Sequence, residues 1–219
     1  MVVVDLEHKG LEIALGTTLS QKRLTSAFAK ENDCTVAING EAGRSPEANS
    51  GLGTWIGNMI CRGKVILLED SEARPFLSFD RSNRASYSPA KLVEKTVKPE
   101  WYNVIWGRLD SLIDGQVQTA DERNRQPRTV MGINADGTRL YLLVADGRQP
   151  GSSLGVTRAE TGQLLKAFGA HNGMLCDEGG SSCLYLRKLG GIASIPSDNR
   201  GQERPTYTHF GITIRAEGQ

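Results

Sequence analysis

Apolar and polar positions alternate with the two-residue period of half-buried strands near the N-terminus, short continuous apolar runs bounded by turn residues recur further on, and helical spacing surfaces in only a few places. Val2 and Val4 alternate, His8-Lys9-Gly10 turns, and Leu11, Ile13 and Leu15 alternate back, which predicts an N-terminal hairpin. Arg62-Gly63, set between Ile60 and Val65 to Leu68, predicts a second hairpin. Asp136-Gly137 predicts a third, joining Thr129 to Asn134 with Arg139 to Ala145, and Thr206 to Ile214 reads as a closing strand. Helical spacing places Leu24, Ala27 and Phe28 on one face behind a capping-box pattern at Thr18 and Gln21. It does the same for Leu164, Leu165 and Phe168 behind Thr157 and Glu160, with Gly169 just past the end. Ser88-Pro89 reads as a further helix start, and Thr119 to Arg128 as an exposed polar loop. Trp101 to Trp106 and Leu109 to Ile113 are apolar pieces that periodicity leaves unassigned.

No Pro- or Ser-rich linker cuts the chain, so residues 1–219 are expected to form one domain. Hairpins outnumber βαβ units, which predicts an α+β fold with a mixed, largely antiparallel β-sheet and two main helices packed on it. A chain of 219 residues buries roughly 70% of its unfolded surface, so neither a disulfide nor a metal is needed to fold it.

Charge narrows the function. Lys and Arg total 26 against 25 Asp and Glu, a net charge of +1, which argues against a general nucleic-acid binder. No apolar run approaches the roughly 20 residues of a membrane span. The opening Met-Val-Val-Val-Asp lacks the marks of a signal peptide, so the protein is expected to stay where it is made or to be a trimmed mature chain. Cys34, Cys61, Cys176 and Cys183 show no Cys-x-x-Cys spacing, which argues against zinc and leaves three disulfide pairings open.

Chemistry is expected where buried strands end. Three apolar runs stop abruptly in polar, glycine-containing turns: Asn39-Gly40-Glu41, Asp146-Gly147-Arg148, and Asp177-Glu178-Gly179-Gly180-Ser181-Ser182. Residues at such ends are held by a rigid core yet face solvent, and glycines let a ligand approach the backbone. Two adjacent acids after a buried strand are costly unless they serve a site or are paired. A helix and a strand precede the first and the last of these turns alike, and the three tips are expected to meet at one cleft. His209 lies in a strand and reads as structural, and Trp101 and Trp106 read as core.

The order Asn39-Gly40, Asp114-Gly115, Arg128, Asp146-Gly147-Arg148, a helix from Arg158, and Asp177-x-Gly-Gly-Ser resembles the phosphodiester glycosidase family from about Val2 to Ile214. Members typically read Asn-Gly-Gly-Phe and Leu-Asp-Gly-Gly-Gly-Ser where this chain has Asn39-Gly40-Glu41-Ala42 and Cys176-Asp177-Glu178-Gly179-Gly180-Ser181. A glycine has thus become glutamate in both motifs. The family's Asn-x-Pro is Ser194-Ile195-Pro196 here, and its arginine is matched by Arg204.

The resemblance implies hydrolysis of a sugar–O–phosphate bond at the anomeric carbon. The sugar is expected to be an N-acetylhexosamine such as N-acetylglucosamine, carried on a cell-surface polymer or a nucleotide. Asp177 is expected as the essential carboxylate, with Glu178 or Glu41 as second acid or base. Arg128, Arg148 and Arg204 are expected to hold the phosphate. Asn39, Gly40, Asp146, Gly147, Gly179, Gly180 and Ser181 would contact sugar hydroxyls or orient the acids. No cofactor is required; Asp146, Asp177 and Glu178 offer hard oxygen ligands of the kind a divalent cation takes, without a spacing that demands one. Members of the family are often exported. Two other readings stay open: a conventional glycosidase using Glu41 with Asp177 or Glu178, and a module that binds a phosphosugar or nucleotide without cleaving it.

Overall fold

The computed structural model describes residues 1–41, 57–69, 73–90, 97–118, 124–198 and 201–215. In chain order they form β1 (Val2–Asp5), β2 (Leu11–Leu15), α1 (Thr25–Glu31), β3 (Val36–Asn39), β4 (Gly57–Cys61), β5 (Lys64–Glu69), β6 (Phe76–Phe79), β7 (Ala85–Ser88) and β8 (Asn103–Trp106). There follow β9 (Leu109–Ile113), β10 (Gln116–Val117), β11 (Arg128–Ile133), β12 (Arg139–Ala145), α2 (Arg158–Ala167), β13 (Asn172–Glu178), β14 (Leu184–Leu186), β15 (Gly191–Ile192) and β16 (His209–Ile214).

Among the described residues the strands make three sheets, ordered β1-β12-β11-β13-β9-β10, β15-β14-β3-β16-β2 and β5-β4-β8-β6-β7. Every pairing between these strands is antiparallel. The α+β reading and its two helices stand, and the sheets are antiparallel throughout the described residues rather than mixed.

Period-two alternation sorts the layers. Met131, Ile133, Leu140, Leu142 and Met174 of the first sheet join Val36, Ile38, Phe210 and Ile212 of the second, and Met59, Phe76, Ile105 and Trp106 of the third, in one core. The intervening residues Val130, Tyr141, Leu143 and Leu175 face outward, where Leu165 of α2 covers them. Ala37 and Tyr185 on the outer face of the second sheet are covered by Phe28 and Ala29 of α1. Strands β3, β11 and β13 therefore read as continuous apolar runs because both of their faces are buried.

Two expectations are corrected. The first 15 residues are two strands but not a hairpin: β1 pairs with β12, Val4 opposite Leu140, while β2 pairs with β16, Ile13 opposite Ile212. Alternation specifies which face each strand buries, not which neighbour it finds. The first helix starts at Thr25 behind Leu24, with no side-chain cap. Paired backbone bonds between Arg23 and Thr206, at 2.7 and 2.8 Å, hold the chain extended just before it, so Thr18 and Gln21 make only a turn.

The other hairpins and the Thr157–Glu160 capping box form as expected, the box with both of its reciprocal bonds. The polar stretch from Thr119 ends with Arg128 as the buried first residue of β11, and residues 119–123 lie outside those described. Ser88 closes β7, and the helix predicted after Ser88-Pro89 falls largely on residues 91–96, also outside.

Helix α2 lies close against β9 because Gly162 presents no side chain there: a Cβ at this position would stand 2.2 Å from the Ser111 carbonyl oxygen. Helix propensity alone favours Gly162→Ala by about 1 kcal/mol, but the backbone clash reverses the sign. The variant is expected to lose about 2 kcal/mol in urea denaturation, in the range of overpacked interiors; a stabilised variant would show that α2 slides freely on the sheet.

Candidate active site

Strands β3 and β13 come from different sheets, and their carboxyl ends meet. Asn39, the last residue of β3, is fully buried and donates from Nδ2 to Asp177 Oδ2 at 2.7 Å. Its Oδ1 accepts from Thr129 Oγ1 at 2.7 Å and from the Cys183 backbone N–H at 2.9 Å. The Cys183 N–H can only donate, so it fixes which way the amide points. One side chain thus ties together the ends of β3, β11, β13 and the segment entering β14.

A β-bulge aims Asp177. Between β11 and β13 the register pairs Met131 with Met174, Val130 with Leu175, then Thr129 with Asp177 and Arg128 with Glu178, skipping Cys176. Residues opposite one another in an antiparallel pair share a face. The extra residue therefore turns Asp177 to the Thr129 side and Glu178 to the Arg128 side. Without the bulge the two acids would exchange faces.

On its side Asp177 is 4% exposed. Its Oδ2 also accepts from Ser181 Oγ at 2.5 Å, Ser181 Oγ accepts from Arg204 Nη2 at 2.8 Å, and Arg204 Nη1 donates to Asp198 Oδ2 at 2.8 Å. Burial lifts the Asp177 carboxyl to about 7; the Ser181 bond and the Glu178 backbone N–H oppose this, the Glu41 carboxylate adds to it, and Arg204 opposes it. The chain bends sharply after β13. Gly180 lets the Asp198 carboxyl pack against the turn, since a Cβ there would lie within about 2 Å of it.

On the opposite side Glu178 is claimed by two arginines. Its Oε1 accepts from Arg108 Nη1 at 2.9 Å and its Oε2 from Arg128 Nη1 at 2.6 Å. The Arg128 side chain is 0% exposed and also donates to the carbonyls of Val156 and Asn124, at 2.9 and 3.2 Å. Arg128 and Glu178 are thus a buried strut beneath the turn and do not share the Asp177 pocket. Arg108 immediately precedes β9, and nothing in its local sequence announces a partner 70 positions away.

The third turn adjoins the glycine turn after β13. Asp146 Oδ1 accepts from the Ile195 backbone N–H at 2.9 Å, and its carbonyl accepts from Ser153 Oγ at 2.6 Å, so Asp146 anchors the segment that leads to Asp198. Arg148, in the left-handed region at φ 56°, donates to Gln126 Oε1 at 2.7 Å and places its guanidinium against Gly179. Gly147 packs against the backbone of Gly155 and Gln126, and Gly40 donates its N–H to the Thr208 carbonyl at 2.8 Å. Glu41 continues from Gly40 and its carbonyl accepts from Thr208 Oγ1; Ala42 lies outside the described residues.

His209 is buried in β16, its ring stacked on Phe28 at 4.9 Å, and burial holds it neutral with its pKa near 4. The four cysteines are unbridged, and burial pushes the Cys34 thiol up to about 11. Among the described residues no three His, Cys, Asp or Glu side chains gather as metal ligands. Sequence reasoning missed Thr129 and Arg108, which act through contacts 90 and 70 positions away, and Asp198, which lies in a loop with no periodicity.

The strut yields a stability contrast. Glu178→Ala removes the carboxylate from the fully buried Arg128 and is expected to cost about 3–5 kcal/mol in urea denaturation. Arg108→Ala, at the half-exposed end of the same network, is expected to cost ~1 kcal/mol or less. Equal losses would place Glu178 outside any buried ion pair.

The fold recurs in known proteins. The catalytic domain of zebrafish N-acetylglucosamine-1-phosphodiester alpha-N-acetylglucosaminidase, auto-inhibited by its pro-peptide, superposes with a TM-score of 0.73 at 20% identity, over 94% of this chain and 74% of that one. A hypothetical protein from Synechocystis gives 0.75 at 12% identity, over 97% of this chain and 58% of its own. A putative exported protein from Burkholderia pseudomallei gives 0.68 at 15%, over 96% and 72%. At these identities the likeness establishes the fold. No curated protein matches the chain by sequence. The family model for phosphodiester glycosidases matches residues 32–213, which takes in both strand ends and everything between them. The chain belongs to the phosphodiester glycosidase family.

Proposed function

We propose that the protein hydrolyses a glycosyl phosphodiester, breaking the bond between the anomeric carbon and the phosphate oxygen, with an N-acetylhexosamine as the sugar. The observation that carries this reading is the Asp177 carboxyl group: buried, clamped on one oxygen by Asn39 and Ser181, and shifted to about 7. Such a group changes protonation near neutral pH, where general acid–base chemistry is most effective.

The leaving group is a phosphate monoester, which departs without strong protonation. The demanding part of the reaction is therefore positive charge growing at the anomeric carbon and delivery of water to it. An ionised Asp177 serves both needs, opposing the oxocarbenium charge or taking a proton from water. Glu41 acts on Asp177 through its charge and is the candidate second carboxylate; Glu178 is not, since both of its oxygens are held by arginines. Arg148 and Arg204 flank the glycine turn and hold the phosphate in this reading. Arg128 acts one layer beneath, through Glu178.

Incubation with an α-N-acetylglucosamine 1-phosphodiester is expected to release free sugar and a phosphomonoester. Turnover of neutral glycosides alone would support a conventional glycosidase, and saturable binding without turnover a binding module. Asp177→Asn is expected to lower kcat/KM at least about 100-fold, with the circular dichroism spectrum unchanged; near-wild-type turnover would remove Asp177 from the mechanism.

The same group gives activity and stability opposite pH trends. Its ionised form is the active one, so kcat/KM is expected to rise as pH increases through about 7. Its folded-state pKa is raised, so its contribution to stability is fully present below the ordinary carboxyl value of 3.8 and is lost as pH rises through about 7. Asp177→Asn is expected to flatten both trends. An unchanged decline in melting temperature between pH 4 and 7 in that variant would assign the titration to another group.

A further inference from the structure

A cleft of about 340 Å³ opens between the start of β2, the β4–β5 turn, the β6–β7 turn and the residue after β16, and the catalytic reading makes no use of it. Among the described residues its lining carries three guanidinium groups, Arg62, Arg81 and Arg215, against one carboxylate, Glu12. Three positive charges and one negative leave an excess of two. Glu12 Oε2 accepts from Arg215 at 3.0 Å and Arg62 at 3.4 Å, and both arginines are well over half exposed. Exposed pairs of this kind hold their partners weakly, typically by ~0–1 kcal/mol, so the arginines can be drawn to a better anion.

The walls are braced, which separates this cleft from a loose basic surface. Asn103, 2% exposed, accepts the Arg62 backbone N–H at 3.0 Å on its Oδ1 and so fixes the β4–β5 turn. Asn83 donates from Nδ2 to the Leu11 carbonyl at 3.1 Å and ties the β6–β7 turn to β2. In that same turn Asp80 Oδ1 accepts from the backbone N–H groups of Ser82 and Arg84, at 2.8 and 2.9 Å. Arg81 extends from it across the Tyr102 ring, 4.6 Å from the centroid. Stacking on an aromatic face orients a guanidinium while leaving its edge donors available. Two pinned turns and one stacked side chain thus aim their donors into a single polar hollow.

We propose that this cleft binds a small phosphorylated ligand, a dianionic phosphate monoester of about monosaccharide size, at a site separate from the Asp177 centre. The excess of two charges matches the phosphate dianion, guanidinium forks match its oxygens, and the volume falls at the small end of ligand pockets. The proposal stands on the cleft itself and does not rest on the hydrolytic reading.

The test is calorimetric titration of the intact protein with glucose 6-phosphate and with inorganic phosphate, using glucose as the neutral control. Saturable binding of the phosphorylated probes is expected, with glucose at least about tenfold weaker. A preference for glucose 6-phosphate identifies a sugar phosphate as the ligand, and a preference for inorganic phosphate identifies the free ion; both support an anion site. Arg81→Ala and Arg215→Ala are expected to weaken binding about tenfold or more, whereas Glu12→Gln, which removes the competing carboxylate, is expected to tighten it by about threefold. The opposite sign in Glu12→Gln distinguishes a site effect from unfolding. Asp177→Asn is expected to bind the probes like wild type, which keeps failure here distinct from failure of the hydrolytic reading. No saturation up to ~10 mM, equal binding of glucose, indifference to the arginine variants, or loss of binding in Asp177→Asn would each overturn the proposal.

Discussion

A carboxyl group shut away from water sets the terms for the rest of this molecule. Burial of an ionised carboxylate without donors costs several kcal/mol, and Asp177 lies almost wholly inside. Its compensation comes from another sheet: the Asn39 amide reaches across from β3, and the Ser181 hydroxyl returns from the turn that follows β13. Two donors on one oxygen hold the group without fully restoring its normal acidity, and the result is a carboxyl that changes state near neutrality. The junction of the sheets and the reactivity of the acid are therefore one arrangement seen from two sides.

The departures from the family's glycine motifs acquire different meanings once the faces are known. Both place a glutamate where members typically carry glycine. Glu178 faces away from Asp177 and sits between Arg108 and Arg128, so it reinforces the floor of the turn. Glu41 stays on the Asp177 side and contributes charge to it. One substitution adds an internal strut, and the other adjusts the electrostatics of the pocket.

The arginines divide by burial in the same manner. Arg128 spends its donors on a glutamate and two carbonyls inside the protein, where it cannot meet a substrate. Arg148 and Arg204 lie against the glycine turn and its serine. Arg62, Arg81 and Arg215 surround a separate hollow. Identical side-chain chemistry serves inside the protein, at the proposed site and on the surface, and desolvation separates the first from the other two.

Much of this was legible from the residues alone. Apolar runs bounded by turn residues located β3, β11, β12, β13 and β16; Thr157 and Glu160 announced α2, and Asp136-Gly137 announced the turn between β11 and β12. Abrupt polar stops after buried runs pointed to Asn39 and Asp177, because a strand with both faces covered has no other reason to end in an amide or an acid. These features are local: propensity, period and turn chemistry act over a few residues and need no partner. What only the tertiary structure decided is everything that depends on a partner far along the chain. Val2 to Leu15 showed two strands but not that each joins a different sheet. Asp177 and Glu178 are neighbours in sequence, and only the bulge at Cys176, a matter of register against β11, sends one to the pocket and the other to Arg128. Register is set by packing between strands, so it leaves no mark on the order of the residues themselves.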